Sequence, residues 1–538
     1  MPKLFKGGLF GGGGKSELAR KKAGPHRYVV FYAEFFAACM VISYVYALIS
    51  NGQSFSVTLF GYRRSSDLFM DFFNSMRDAS SKSVYTKRFN VYPPLGLLIF
   101  RLLGGFLPDR LLSLANVEKA LLPIDQKCMM MCVMVSIACL LLFMKVFFGY
   151  IDTLGLDRSG RRDGKLLSML MIMSYPTLYC VERGNIFLLC FVCTAFFVFF
   201  YRSKNKLLRE LALISLALAA GIKYYPAAFG LMLLFDKKYK EALRAVVYGV
   251  LAVVIPALFF LRPGGSGLLV ISASAADASS GSSSSGAGVF SLLLSNLWKF
   301  ATEKKSRLNF SSVSVENIVY LIKPDAAAAL KVTFFITEAI AFIAMFFTKK
   351  RWHRLFLISY IILNIAAASS SYALMLLTIP FFTLLFEEKS DGVFKKIYLG
   401  GFILLLVPLP TMWYFWADTL KKTAFFKTFG SSNMRPNQML AVFVFQLMFL
   451  VVLAEIASEF IKAFIRFFDA PTIPARSGAG AAAVTAQEPA AEPAVSEGAG
   501  SDLAAVQESG DQPEAPPPDG ETSSAPAEGS TEGGENDV

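Results

Sequence analysis

Four short polar motifs interrupt an otherwise apolar chain of 538 residues. The first, SSDLFMDFFNSM, holds Asp67 and Asp71 four residues apart, so a helix there would carry both carboxylates on one face. Phe69, Met70, Phe72, Phe73 and Met76 would make that helix amphipathic and suited to a membrane surface. A carboxylate in such a setting is a candidate general base; a solvated polar face accounts for the same spacing. The second motif is YPP, Tyr92–Pro94, where the prolines suit the first turn of a helix. They do not explain why Tyr92 shares one short loop with the acids. The third is ERGN, Glu182–Asn185, at the end of an apolar run. Arg183 there could fork onto a phosphate and Asn185 could cap the next helix; a tight turn between two helices explains the motif as well. The fourth is KYYP, Lys223–Pro226, set inside LALAAGIKYYPAAFGLMLL. Proline breaks a helix at this point, and a lysine in such a break is a functional candidate with an anion as its partner, against the simpler reading of a side chain reaching to the interface.

The elements that must position these motifs are membrane helices. The chain is 54% hydrophobic and contains 51 Phe, above the ~45–50% of soluble domains. Runs such as Phe31–Ile49, Met129–Phe148 and Val246–Leu261 approach the length of a bilayer core and lack the alternation of barrel strands. Spans are expected at 28–50, 128–148, 166–182, 186–201, 207–221, 224–236, 243–261, 329–347, 355–368, 373–386, 395–416 and 439–461. This is an all-α polytopic membrane protein of about 12 transmembrane helices with both termini inside. Several spans are short, as in broken helices around a cavity. Leu95–Leu107 reads as a dipping helix.

Three regions follow. Residues 1–27 form a basic cytoplasmic N-terminus, expected to be retained. Residues 28–468 form the membrane domain, with outer loops at 51–127 and 262–325, the second containing the tract SASAADASSGSSSSGAG. Residues 469–538 form an acidic Pro/Ala/Glu-rich tail, too poor in apolar residues to fold and expected to be disordered. From Ala470 onward 13 acids face one Arg, so that segment carries −12 of a total of +13 and the residues before it +25. A body this basic suits anionic headgroups or a phosphorylated substrate. Its charges are scattered over loops rather than gathered on a soluble domain, which argues against nucleic acid. The basic loops Arg158–Lys165, Arg202–Arg209, Lys237–Arg244, Lys349–Arg354 and Lys395–Lys396 mark the inner side, which puts all four polar motifs on the outer side. Arg351, His353 and Arg354 read as an inner basic turn. The seven cysteines lie in or beside apolar spans, so neither a disulfide framework nor metal use of Cys190 and Cys193 is expected.

Taken in order, DLFMDFF, YPPL, ERGN and KYYP resemble the C-type (GT-C) integral membrane glycosyltransferases, nearest the polyprenyl-phosphate-mannose-dependent α-mannosyltransferase-like family of bacterial membrane proteins. The resemblance covers Tyr28 to Phe468. It implies a GT-C-like fold in the bacterial inner membrane, with the active site on the outer face. It implies inverting transfer of a hexose, mannose first, from a polyprenyl-phosphate sugar donor to a lipid or glycan acceptor, among membrane lipids and without nucleic acid. It implies an outer-loop Asp as catalytic base, carried onto Asp71 or Asp67 with Asp71 favoured, donor-phosphate contacts at Lys223 and Arg183, and substrate contacts at Tyr92, Glu182, Asn185 and Tyr225. No ligand set points to a metal, although the chemistry leaves room for a divalent one. The chain departs from the family's commoner pattern in having ERGN in place of Gly-Gln-x-Asn, and Phe310–Ser314 where an Asn-His-Ser-Leu stretch is frequent. A transporter or lipid flippase is the alternative, since broken helices and a buried lysine suit both; a protein recruiting partners through its acidic tail is a third reading.

Overall fold

The computed structural model describes residues 24–49, 69–80, 92–106, 126–259, 313–315, 318, 327–365, 371–388, 391–409 and 436–468. The chain falls into two units, Met1–Ala470 and Pro471–Val538, and every described residue lies in the first. Asp67, most of the basic N-terminus, the Ser/Gly/Ala tract and the acidic tail lie outside the described residues.

Among the described residues every regular element is a helix. In chain order they are α1 (Gly24–Ile49), α2 (Met70–Ser80), α3 (Pro94–Gly104), α4 (Gln126–Thr153), α5 (Arg158–Ile172), α6 (Tyr175–Glu182), α7 (Phe187–Phe200) and α8 (Lys206–Ile222). A 3-10 turn (Tyr225–Gly230) leads into α9 (Leu231–Phe235), followed by α10 (Tyr239–Phe259), α11 (Ala327–Phe347) and α12 (Arg351–Asn364). A second 3-10 turn (Ser371–Leu377) leads into α13 (Thr378–Phe386), then α14 (Val393–Leu406) and α15 (Pro436–Phe468). Four stretches, Pro25–Ile49, Gln126–Thr153, Tyr239–Phe259 and Leu440–Arg466, are long and apolar enough to cross a membrane. Their outward faces carry exposed Val41, Tyr44 and Leu48 on α1, and Val246, Val250 and Leu251 on α10. Such surfaces need a lipid solvent.

The shorter helices fill the interior. α7 (FLLCFVCTAFFVFF) is apolar all round and buries Phe187, Phe191 and Phe197 completely, as expected of a helix enclosed by others. Local signals set its neighbours. Asn205 caps α8 by accepting from the Leu207 and Leu208 amides, and Asp157 caps α5 through Gly160. Pro94 opens α3, the short helix expected at Leu95–Leu107. The single span expected at 166–182 is instead two helices. Met173 and Ser174 form a turn between α5 and α6, Pro176 opens the second helix, and Thr177 donates to the Met171 carbonyl at 3.0 Å. The proline and the two hydroxyl side chains together divert the backbone where hydropathy alone reads as continuous.

At KYYP the expected break is present. α8 stops at Ile222, Lys223 is extended (φ −144°, ψ 138°), and the chain resumes as the 3-10 turn containing Pro226. None of the seven cysteines is in a disulfide, and six of them are buried.

Candidate active site

The site forms where three interrupted helices end together. Its first half is a carboxylate turn. α2 docks on ERGN through the backbone: the Phe69 amide donates to the Glu182 carbonyl at 2.7 Å and the Asp71 amide to the Arg183 carbonyl at 3.0 Å. The Asp71 side chain is then gripped on both oxygens, one by the Arg183 guanidinium and the other by the Asn185 amide at 2.8 Å. Asn185 is itself fixed, because its Oδ1 accepts from the Phe187 amide at 2.9 Å and so caps α7. Asp71 and Arg183 are each about one-fifth exposed, so the pair is accessible without being solvated.

Two backbone features make this docking specific. Gly184 has φ +61°, a region that side chains rarely adopt, and an added Cβ would lie 2.8 Å from Phe72 Cβ and 3.2 Å from Phe69 Cα. Phe69 itself sits at φ +53°, an unusual conformation for an aromatic residue and one that clusters at functional sites. Gly184→Ala is therefore expected to destabilise the fold by about 1–3 kcal/mol and to displace Asp71. The check is a lowered thermal midpoint with an accompanying loss of turnover; an unchanged midpoint would show the docking to be dispensable.

The second half is a caged cation. Lys223 Nζ lies 5.4 Å from the Tyr92 ring centroid, 5.5 Å from Phe187 and 5.2 Å from Tyr372. Three π faces around one ammonium make a cation–π cage. Among the described residues no carboxylate or hydrogen-bond acceptor pairs with this ammonium. Tyr92 reaches the cage because α3 lies close on α8: a Cβ on Gly96 would be 2.9 Å from the Ile222 carbonyl. Tyr225, from the 3-10 turn, extends the aromatic wall with its ring 5.8 Å from Phe187. Tyr372 lies within electrostatic reach of both Lys223 and Asp71, and Phe187, two residues after Asn185, gives that asparagine its backbone amide. The two halves are thus one site.

Of the residues picked out by sequence, Asp71, Arg183, Asn185, Lys223, Tyr92 and Tyr225 come together here. Glu182 is buried, and its backbone carbonyl holds α2; Asp67 lies outside the described residues. Sequence reasoning missed Phe187 and Tyr372. Tyr372 follows a run of serines just before an apolar helix, a composition break like that at KYYP, and so could have been found. The expectation of a plain basic turn at Arg351–Arg354 is corrected by burial. His353 is fully buried, with Nδ1 2.8 Å from the Thr348 hydroxyl and Nε2 3.3 Å from Glu455, and Arg351 pairs with Glu387. A helix start packed into the bundle cannot leave these groups in solvent, and each takes a polar partner.

Fold and site together define a polytopic helical membrane protein in which the ends of interrupted helices gather a paired carboxylate and a ring-caged lysine. The chain is similar to Glycosyltransferase family 87, whose family model matches residues 90–294. That segment of 205 residues takes in Tyr92, the ERGN turn and KYYP, and leaves Asp71 just outside it. Family 87 is a glycosyltransferase family, and the match supports a glycosyltransferase enzyme acting on a sugar donor and an acceptor. Neither the curated proteins nor the solved structures contain a match to the chain.

Proposed function

We propose that this chain transfers a hexose, mannose in the first instance, from a polyprenyl-phosphate donor to a lipid or glycan acceptor, at the outer face of a bacterial inner membrane it crosses about twelve times. The observation that carries the reading is Lys223, caged by aromatic rings and without a counter-ion among the described residues, in one site with a carboxylate held on both oxygens. An uncompensated cation in an aromatic cage calls for an anion brought by the substrate. A phosphate ester ending in an apolar chain supplies the anion and matches the lipid-facing helices around it.

In this scheme Asp71 accepts the proton of an acceptor hydroxyl. The hydroxyl oxygen attacks the anomeric carbon as the bond to the donor phosphate breaks, giving inversion in one displacement. A carboxylate has about four lone-pair sites, so the bonds to Arg183 and Asn185 leave room for the hydroxyl. Lys223 stabilises the charge gathering on the departing lipid phosphate, with Arg183 shared between that phosphate and Asp71. Tyr92, Tyr225 and Tyr372 offer rings and hydroxyls to a sugar.

The test is sugar transfer from radiolabelled polyprenyl-phosphate-mannose by purified protein in liposomes, against a panel of other polyprenyl-phosphate sugars. Transfer from mannose alone supports the full reading. Transfer from another sugar keeps the mechanism and changes the donor. No transfer from any donor, with lipid movement across the bilayer in its place, favours the flippase.

A further inference from the structure

Three of the basic loops that set the topology converge far from the Asp71–Lys223 site. α7 begins at Phe187 in that site and runs 14 residues, about 20 Å at 1.5 Å per residue, before ending against Tyr201. Around the buried Tyr201 ring stand Arg202 at 5.5 Å, Lys238 at 5.4 Å and Arg351 at 5.7 Å from its centroid. Arg354 stacks on neighbouring Phe235 at 4.7 Å. The four cations come from the loops after α7 and before α10 and from the first turn of α12. Charge counting explains why such loops are basic; it does not explain why they meet.

Among the described residues two of the four cations pair with a carboxylate and two do not. Arg202 makes two bonds of 2.6 Å to Asp236, which also accepts from the Tyr201 hydroxyl at 2.9 Å. Arg351 is taken by Glu387 and the Val198 carbonyl. Among the described residues Lys238, by contrast, donates only to the Tyr201 carbonyl at 3.2 Å, and Arg354 bonds only from Nε, to the Met345 carbonyl at 3.3 Å. Among the described residues Asp236 and Glu387 accept from Arg202 and Arg351, Glu241 acts on Lys238 only through space, and ammonium and guanidinium donors remain to spare. Burial lowers the pKa of Lys238 below the ordinary lysine range, and Arg202 pushes the same way against Asp236, so its charge gains from a further anion. The turn presenting Lys238 is strained: Lys237 has φ +57°, a conformation that persists where surroundings enforce it. The rim is apolar, with Leu234, Tyr239, Phe346 and Phe347 all exposed. Aromatic residues beside cations at helix ends are the signature of a membrane interface.

We propose that Lys238 and Arg354, backed by Arg202 and Arg351, form a binding site for the phosphate of an anionic membrane lipid at the end of the helices opposite the glycosyl-transfer site. The apolar rim favours a headgroup over a free phosphate, because a lipid brings acyl chains to cover it.

The experiment uses the full chain purified from mixed nanodiscs of phosphatidylcholine and phosphatidylglycerol, with native mass spectrometry reading the lipid retained. Wild type should keep phosphatidylglycerol in preference to phosphatidylcholine. Lys238→Gln with Arg354→Gln should lower that retention by roughly 5-fold per cation, about 25-fold together. Lys396→Gln, on an exposed residue in the first turn of α14, should leave it unchanged. Arg354→Lys, which preserves the charge, should retain most of it and stands in if the double variant does not fold. A thermal-shift series in detergent with inorganic phosphate separates the sources. Protection by phosphate equal to that by the lipid, and lost in the double variant, would confirm the anion site but overturn its assignment to a lipid. Equal phosphatidylglycerol retention by wild type and double variant would overturn the site itself.

Discussion

Asp71→Asn is expected to reduce sugar transfer by roughly 100- to 10,000-fold, the contribution typical of a positioned proton acceptor. The substitution conserves shape, so the loss isolates the proton-accepting role. An asparagine at this position can still accept from Arg183 through its carbonyl. Its NH2, however, would face the NH2 of Asn185, which cannot turn over because its own Oδ1 holds the Phe187 amide. The mismatch should cost about 1–3 kcal/mol of stability, detectable as a small fall in thermal midpoint in a protein that still folds. Turnover measured with saturating donor is the deciding quantity. Asp67→Asn made alongside it locates the base: full activity in Asp71→Asn with loss in Asp67→Asn would reverse the assignment.

Lys223→Met is expected to move activity and stability in opposite directions. Removing a charge-stabilising group at a phosphate leaving group costs roughly 100- to 1,000-fold in kcat. The fold should hold or gain, because the ammonium in its aromatic cage has no counter-ion among the described residues, and an apolar side chain of similar length removes the cost of keeping a charge there. Thermal unfolding without substrate and turnover with it make the comparison. A variant that loses stability while keeping its kcat would mean that the lysine serves the fold and that the phosphate binds elsewhere.

The parts of this architecture written in local chemistry were legible in the sequence. The MDFF of the first motif became the start of a short helix with Asp71 in its first turn; ERGN became the turn between α6 and α7; the proline in KYYP ended one helix and opened a 3-10 turn. Each rests on capping, turn or proline effects that act within a few residues. What escaped reading depends on partners distant in sequence. Nothing near Tyr372 announces that it will meet Lys223, because the contact needs α13's 3-10 start to return against α8. Likewise His353 reads as surface in KKRWHR, yet Glu455, some hundred residues on, draws it inside. Hydropathy merged α5 and α6, since a two-residue turn held by hydroxyl bonds barely alters an average over twenty residues.

The carboxylate helix hangs on ERGN by two carbonyls, those of Glu182 and Arg183, and every amino acid has a carbonyl. The docking of α2 therefore does not depend on side-chain identity at these two positions, although the Arg183 guanidinium adds its own grip on the Asp71 carboxylate. That gives a physical account of how this chain can depart from the Gly-Gln-x-Asn of its resemblance at both positions and still present the acid. The asparagine, whose side chain alone can bridge Asp71 and the α7 amide, is common to both patterns. Within this turn, evolution has latitude where the contact is generic and little where it is chemical.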